Sequence, residues 1–140
     1  MTTQTRKIKV VLGKVGFDPH DRGVIVLTHA LRDAGMEVIF LGKFQTAERV
    51  VKAAIDEDAD VIALSDHCGV MRLIATDVMA ELKRRDATDI VVVAGGIIPE
   101  EDIPYLESLG VTGNYRAGTS FQEIIDHITS RVKKERWREV

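Results

Sequence analysis

The sequence predicts an α/β domain: a doubly wound parallel sheet of five strands with helices on both faces. Three observations carry this. Short apolar runs rich in Val and Ile alternate with stretches of helical periodicity along the chain. Ile8–Leu12 is a short run rich in β-branched residues, as in a strand buried on both faces. The length, 140 residues, suits one domain with one core.

The elements follow in order. Ile8–Leu12 is the first strand, and the loop Gly13–His20 leaves it. Arg22–Ala34 reads as a helix with Val24, Leu27, Ala30 and Leu31 apolar, stopped by Gly35. Glu37–Leu41 is the second strand. Thr46 caps the helix Ala47–Asp56, with Arg49 where a full capping box would place an acid. Asp60–Ser65 is the third strand and Val70–Arg85 the third helix. Asp89–Ala94 is the fourth strand, broken by Gly95-Gly96. Pro99 to Leu109 is a short helix closed by Gly110, and Val111–Arg116 is a weak fifth strand. Thr119 is the expected cap of a last helix running to about Lys134, with Ile124, Ile125, Ile128 and Val132 on one face.

Five such units in a row imply a flavodoxin-like (Rossmann-like) sheet in a single domain over residues 1–140, with its core at about 6–132. The charged tail 131–140 is expected to fray. Trp137 within it reads as a packing residue rather than a partner contact.

Composition narrows the function. The formal charge is −3 and no face carries a basic stripe, so nucleic acid is not an expected partner. The single cysteine, Cys68, forbids an internal disulfide and suggests a reducing compartment. Met1–Lys7 is polar, and no stretch approaches the length of a membrane span. The expectation is a cytoplasmic protein without a membrane partner.

In sheets of this kind ligands sit beyond the carboxyl ends of the strands, near the switch in strand order. Those positions are Lys14–His20, Lys43–Thr46, Ser65–Gly69, Gly95–Pro99 and Ala117–Thr119. The first contains Asp18-Pro19-His20. A carboxylate bonded to one imidazole nitrogen fixes the tautomer and aims the other nitrogen at a metal. Gly23, at the start of the helix, leaves room for a bulky group. By itself the pair reads more readily as two solvated side chains than as a ligand with its partner. Lys14 reads as a solvated lysine, Gly95-Gly96 as a strand end and Thr119 as a cap. His29 and His127 read as ordinary helix residues, and Met71 and Met79 as core.

Asp18-x-His20-x-x-Gly23 resembles the cobalamin-binding signature of adenosylcobalamin-dependent mutases and cobalamin-dependent methyltransferases. "KVGFDPHDRG", "ALRDAGMEVIF", "AAIDEDADVIALS" and "VVAGGIIPEEDIPYLESLGV" are similar to the cobalamin domain of the acyl-CoA mutases. That group includes the methylmalonyl-CoA and 2-hydroxyisobutyryl-CoA mutases. The likeness spans roughly residues 6 to 132. It implies a cobalamin bound with its own base displaced and His20 as the lower ligand of cobalt. Asp18 would then be the partner of His20, and Lys14 would complete the relay. Ser65 would bond to the buried base. Gly95 and Gly96 would let the nucleotide tail lie against backbone, since a Cβ there would fill its slot. Gly118 and Thr119 would close the far end.

Two positions depart from the pattern. Pro19 stands where relatives have Gly, and it pushes Asp18 toward extended backbone. Ser65-Asp66-His67 stands where relatives have Ser-x-Leu, a polar cluster in place of an apolar wall. Asp66 and His67 either face solvent or a partner, or contact the tail. His67, two beyond Ser65, would share its side of an extended chain. A metal site of Asp66, His67 and Cys68 is disfavoured, because consecutive residues seldom converge on one ion.

The resemblance implies the cobalamin subunit of an acyl-CoA mutase. Its adenosylcobalamin starts a carbon-skeleton rearrangement by cobalt–carbon homolysis. The chain has no catalytic residue of its own beyond cofactor ligation. It has no room for a substrate barrel, so a large subunit is the expected partner. The alternative is a corrinoid carrier for methyl transfer, which usually places a helical cap domain before its first strand. A phospho-acceptor domain of the same topology would need an acidic pair after the first strand. Gly13-Lys14 occupies that place.

Overall fold

A computed structural model describes residues 6–139. The strands are β1 (Lys9–Val15), β2 (Glu37–Gln45), β3 (Val61–Asp66), β4 (Val91–Gly96) and β5 (Thr112–Tyr115). The helices are α1 (Arg22–Asp33), α2 (Ala47–Asp56), α3 (Met71–Arg84), α4 (Ile103–Leu109) and α5 (Phe121–Arg131). All strand pairs are parallel, in the order β2-β1-β3-β4-β5. This is the expected flavodoxin-like arrangement. The order reverses between β1 and β3, so the crevice where such sheets take ligands opens at the carboxyl ends of these two strands.

The inner strands β1, β3 and β4 are buried on both faces, as their apolar runs require. Val11, Ile62, Leu64 and Val92 pack under α2 and α3. Val10, Leu12, Val61, Ala63 and Val93 pack under α1 and α5. Gly110 closes α4 with φ 96°, a left-handed turn that glycine adopts without strain.

Four local expectations change. β2 runs on to Gln45 and β4 includes both Gly95 and Gly96. The cap of α5 is Ser120, whose hydroxyl accepts from the Glu123 amide, while Thr119 Oγ1 donates to the Arg116 carbonyl at 2.7 Å. Among the described residues the tail is structured rather than frayed, with a π-helical turn over Val132–Arg136. Trp137 Nε1 donates to Asp60 Oδ1 at 2.9 Å, and Arg136 pairs with Asp58, Asp60 and Asp89. Trp137 packs against the α1–α5 side of the core. Asp60 is buried at the amino end of β3, so its carboxylate needs these donors.

Candidate cofactor site at the carboxyl edge of the sheet

Lys14 is the seed of the site. It lies near the end of β1, and its side chain is fully buried rather than solvated. A buried ammonium needs acceptors on its donors. Asp18 Oδ2 lies 2.8 Å from Lys14 Nζ, with the Ser65 hydroxyl at 3.3 Å, the Ser65 carbonyl at 3.5 Å and His67 Nδ1 at 3.2 Å. One cation thus joins the ends of β1 and β3.

Asp18 is saturated in turn. Its Oδ1 accepts from the His20 amide at 3.0 Å and lies 2.6 Å from His20 Nδ1. Its Oδ2 also accepts from the His67 amide at 2.7 Å. Burial pushes the Asp18 carboxyl up, but Lys14, the His20 amide and ring and the His67 amide hold it well below the usual carboxylate range. Asp18 is therefore an anion, and His20 Nδ1 carries the proton it donates. His20 Nε2 is left with a free lone pair on a side chain 65% exposed. Pro19 does not spoil this aim, because Asp18 reaches both the amide and the ring of the residue beyond the proline.

His67 has the opposite polarity at Nδ1. Lys14 can only donate there, so His67 Nε2 carries the ring hydrogen. The His20 and His67 rings lie 5.9 Å apart.

Beneath these groups a cavity of about 330 Å³ runs between the sheet and helices α1 and α5. That volume suits a small-molecule site. Its walls are mainly apolar, from Leu12, Val24, Leu27 and Ile124, with Ser65, His67 and Thr119 among its polar groups. Gly23, Gly95, Gly96 and Gly118 line it as expected. The reason for the glycine pair differs from the sequence argument. A Cβ on Gly96, where φ is 117°, would lie 2.1 Å from the Asp66 carbonyl oxygen on β3. One on Gly95 would meet the Tyr115 carbonyl at 3.3 Å. Gly96 is thus demanded by the neighbouring strand β3 whatever occupies the slot, and Gly95 sits tightly against β5.

Asp66 faces neither solvent nor the cavity. It is fully buried, its Oδ2 accepts from the Val70 amide at 2.8 Å ahead of α3, and its Oδ1 finds no partner. Ligand atoms of Asp18, Asp66 and Cys68 lie within 4.8 Å of one another. Burial, then Asp18 and Asp66, push the Cys68 thiol up. A metal would need the thiolate, and Asp18 already serves Lys14, His20 and His67. Sequence reasoning missed Tyr115, which walls the cavity on the β5 side. An aromatic two residues after a glycine in a short strand was its one signal. His127 bonds Thr112 Oγ1 at 2.9 Å, away from this cavity.

Comparison with known proteins agrees with the geometry. Residues 8–124 match the model of the B12 binding domain. The chain is 46% identical over 125 residues to the 2-hydroxyisobutanoyl-CoA mutase small subunit of Aquincola tertiaricarbonis, covering 89% of this chain and 92% of that one. It is 39% identical to the pivalyl-CoA mutase small subunit of Xanthobacter autotrophicus, covering 94% and 88%. A solved cobalamin-binding protein from Desulfitobacterium hafniense superposes with a TM-score of 0.74 at 20% identity, covering 90% of this chain and 60% of that one. That last likeness speaks to fold alone.

Proposed function

The chain belongs to the B12 binding domain family, and from that premise we propose that it holds cobalamin through His20 Nε2, as the small subunit of an acyl-CoA mutase. Cobalamin binding as a mutase subunit follows from the family and from the small-subunit relatives. The residue roles rest on one observation. The Lys14–Asp18 ion pair fixes the tautomer of His20 and leaves Nε2 exposed beside the 330 Å³ cavity.

The residues fit the group. An imidazole with a free, oriented nitrogen is a proper ligand for cobalt. The apolar cavity suits a flat displaced base, and the Ser65 hydroxyl and His67 Nε2–H supply its polar contacts. Gly118 and Thr119 stand at the far wall. When bound, adenosylcobalamin supplies radical chemistry through its cobalt–carbon bond. The chain's own part is to bind, to orient the imidazole and to keep Asp18 ionised behind it. Substrate is held elsewhere, and we assign that task to a large barrel subunit in the cytoplasm. No described helix is long and apolar enough to cross a membrane.

The test is the ligand itself. Protein carrying ¹⁵N-histidine is mixed with cobalamin, reduced to the paramagnetic Co(II) state and read by electron paramagnetic resonance. Nitrogen splitting that changes with the isotope, and is lost in His20→Ala, is the expected result. Splitting from the cofactor's own base in the wild type overturns the assignment.

A further inference from the structure

A second hollow lies on the opposite side of Tyr115. It is a groove of about 810 Å³ along the free edge of β5, walled by α4 and α5. Three features set it apart from an ordinary surface dip.

The first is a set of orphaned polar atoms. Asn114 Oδ1, Tyr115 Oη and Arg131 Nε are buried without a hydrogen-bond partner, and all three residues line this groove. Buried polar atoms are nearly always paired, so three on one groove mark a place where something else supplies the bonds. Together they offer an acceptor, a donor and a group able to do either.

The second is the strand edge. β5 pairs only with β4, so its outer backbone edge is free. The edge is shaped rather than regular. Gly113 has φ 85° and Asn114 has φ 26°, and a Cβ on Gly113 would lie 2.6 Å from the Tyr115 ring. An exposed strand edge is a template for an added extended chain.

The third is charge. Glu107 from α4 and Glu123 and Asp126 from α5 line the groove, and none is in an ion pair among the described residues. The one arginine there is neutralised, since Arg131 Nη1 lies 2.9 Å from Glu135. Burial, then the charge of Arg131, push the His127 imidazole down, so it adds no cation at neutral pH. The lip is therefore acidic above a floor of unpaired polar atoms.

We propose that this groove is a docking site for an extended, lysine- or arginine-bearing segment of a partner protein. The segment's carbonyls accept from Arg131 Nε and Tyr115 Oη, one of its amides donates to Asn114 Oδ1, and its basic side chains pair with Glu107, Glu123 and Asp126. Alternating donors and acceptors are what an extended backbone presents, and the acidic lip selects the sign of its side chains. The site is separate from the axial loop, and Tyr115 and Thr119 are the residues common to both walls.

The test uses the full ¹⁵N-labelled chain at low salt with two blocked peptides, Ac-Val-Lys-Val-Lys-Val-NH2 and its glutamate twin. The lysine peptide should shift the amides of residues 112–115 and 123–131, and the glutamate twin should bind at least about tenfold more weakly. Glu123→Gln with Asp126→Asn should weaken the lysine peptide by about tenfold. Asn114→Gly, which tolerates the positive φ but removes Oδ1, should weaken both peptides. Cobalamin binding by these variants should be unchanged, so a failed groove and a failed cofactor assignment give different results. Absence of shifts with the lysine peptide overturns the proposal. So does equal binding of the two peptides, or self-association of the chain through residues 112–115.

Discussion

Lys14 Nζ and Asp18 Oδ2 stand 2.8 Å apart with side chains only 1% and 2% exposed, making a buried ion pair across four residues at the root of the axial loop. Such a pair stabilises little by itself, because both charges are stripped of water. Its use is positional. The lysine draws Ser65 and His67 of the neighbouring strand end onto the same point. The aspartate spends its remaining capacity on the amide and ring of His20. The His20 imidazole is thus set by a chain of contacts that starts inside the sheet.

Removing one member of a buried pair leaves an uncompensated charge. Lys14→Met should destabilise the cofactor-free protein by about 3 kcal/mol. Adding Asp18→Asn should recover part of that loss, since the stranded charge goes with it. Urea unfolding of the two variants measures this. A loss below about 0.5 kcal/mol for Lys14→Met, the usual size of a surface substitution, would show the pair to be a bystander.

The same pair predicts an acid limb. A carboxyl held low in the folded state contributes stability above its unfolded pKa, and that contribution is lost as pH falls toward the folded value. For Asp18 the loss therefore begins at about pH 4, the ordinary aspartate value, and continues below it. Stability of the wild type should fall steeply there. Asp18→Asn should be less stable at neutral pH and show a flatter profile below pH 4. Parallel profiles for the two proteins would contradict the assignment.

The architecture was legible because every strand buried on both faces is written as a continuous apolar run, and glycines mark the ends of several helices. The edge that carries the candidate site followed from topology before any residue was assigned to it. The residues' surroundings were less legible. Lys14 follows a glycine at a strand end, and local sequence does not distinguish a solvated lysine there from a buried one. Its burial depends on Asp18, Ser65 and His67 arriving from elsewhere. Asp66 read as facing solvent, a partner or the cofactor tail, yet it serves the Val70 amide ahead of α3. The tail looked frayed because its anchor, Asp60, lies 77 residues from Trp137. Long-range polar pairs of this kind leave no period in the sequence. For the glycine pair, sequence showed small residues at a strand end but not that β3 itself excludes a Cβ at Gly96.

Tyr115 gives a test at the opposite pH extreme. Its phenol is buried without a partner, and burial, outweighing the nearby Arg131, pushes its pKa well above the ordinary tyrosine value. A group raised in the folded state contributes stability below its unfolded pKa, about 10 for tyrosine, and loses it as pH climbs toward the folded value. Tyr115→Phe removes that limb, which sets in above about pH 10. At neutral pH it discards an unpaired hydroxyl, so it should be neutral or stabilising by up to about 1 kcal/mol. Thermal unfolding at pH 7 and pH 10.5 reads both. A marked loss at pH 7 would mean that the hydroxyl has a partner after all.

His67 departs from the Ser-x-Leu pattern of the family the sequence resembles, and its polarity sets what the change should do. Lys14 donates to Nδ1, so Nε2–H is the ring's remaining donor, and the residue lines the cavity with a side chain 30% exposed. Lys14 keeps Asp18 and Ser65 when that imidazole is removed. His67→Leu should therefore cost the cofactor-free protein no more than about 1 kcal/mol, the worth of one hydrogen bond. Cobalamin binding should suffer more. If Nε2–H bonds the buried nucleotide, its loss weakens binding by roughly tenfold, equivalent to about 1.4 kcal/mol. His67→Gln, which keeps a donor and an acceptor at the same wall, should recover part of it. Affinity is read by titrating hydroxocobalamin against the visible spectrum, with stability followed in parallel to separate the two effects. Equal or tighter binding by His67→Leu would show that His67 steadies Lys14 and does not touch the cofactor.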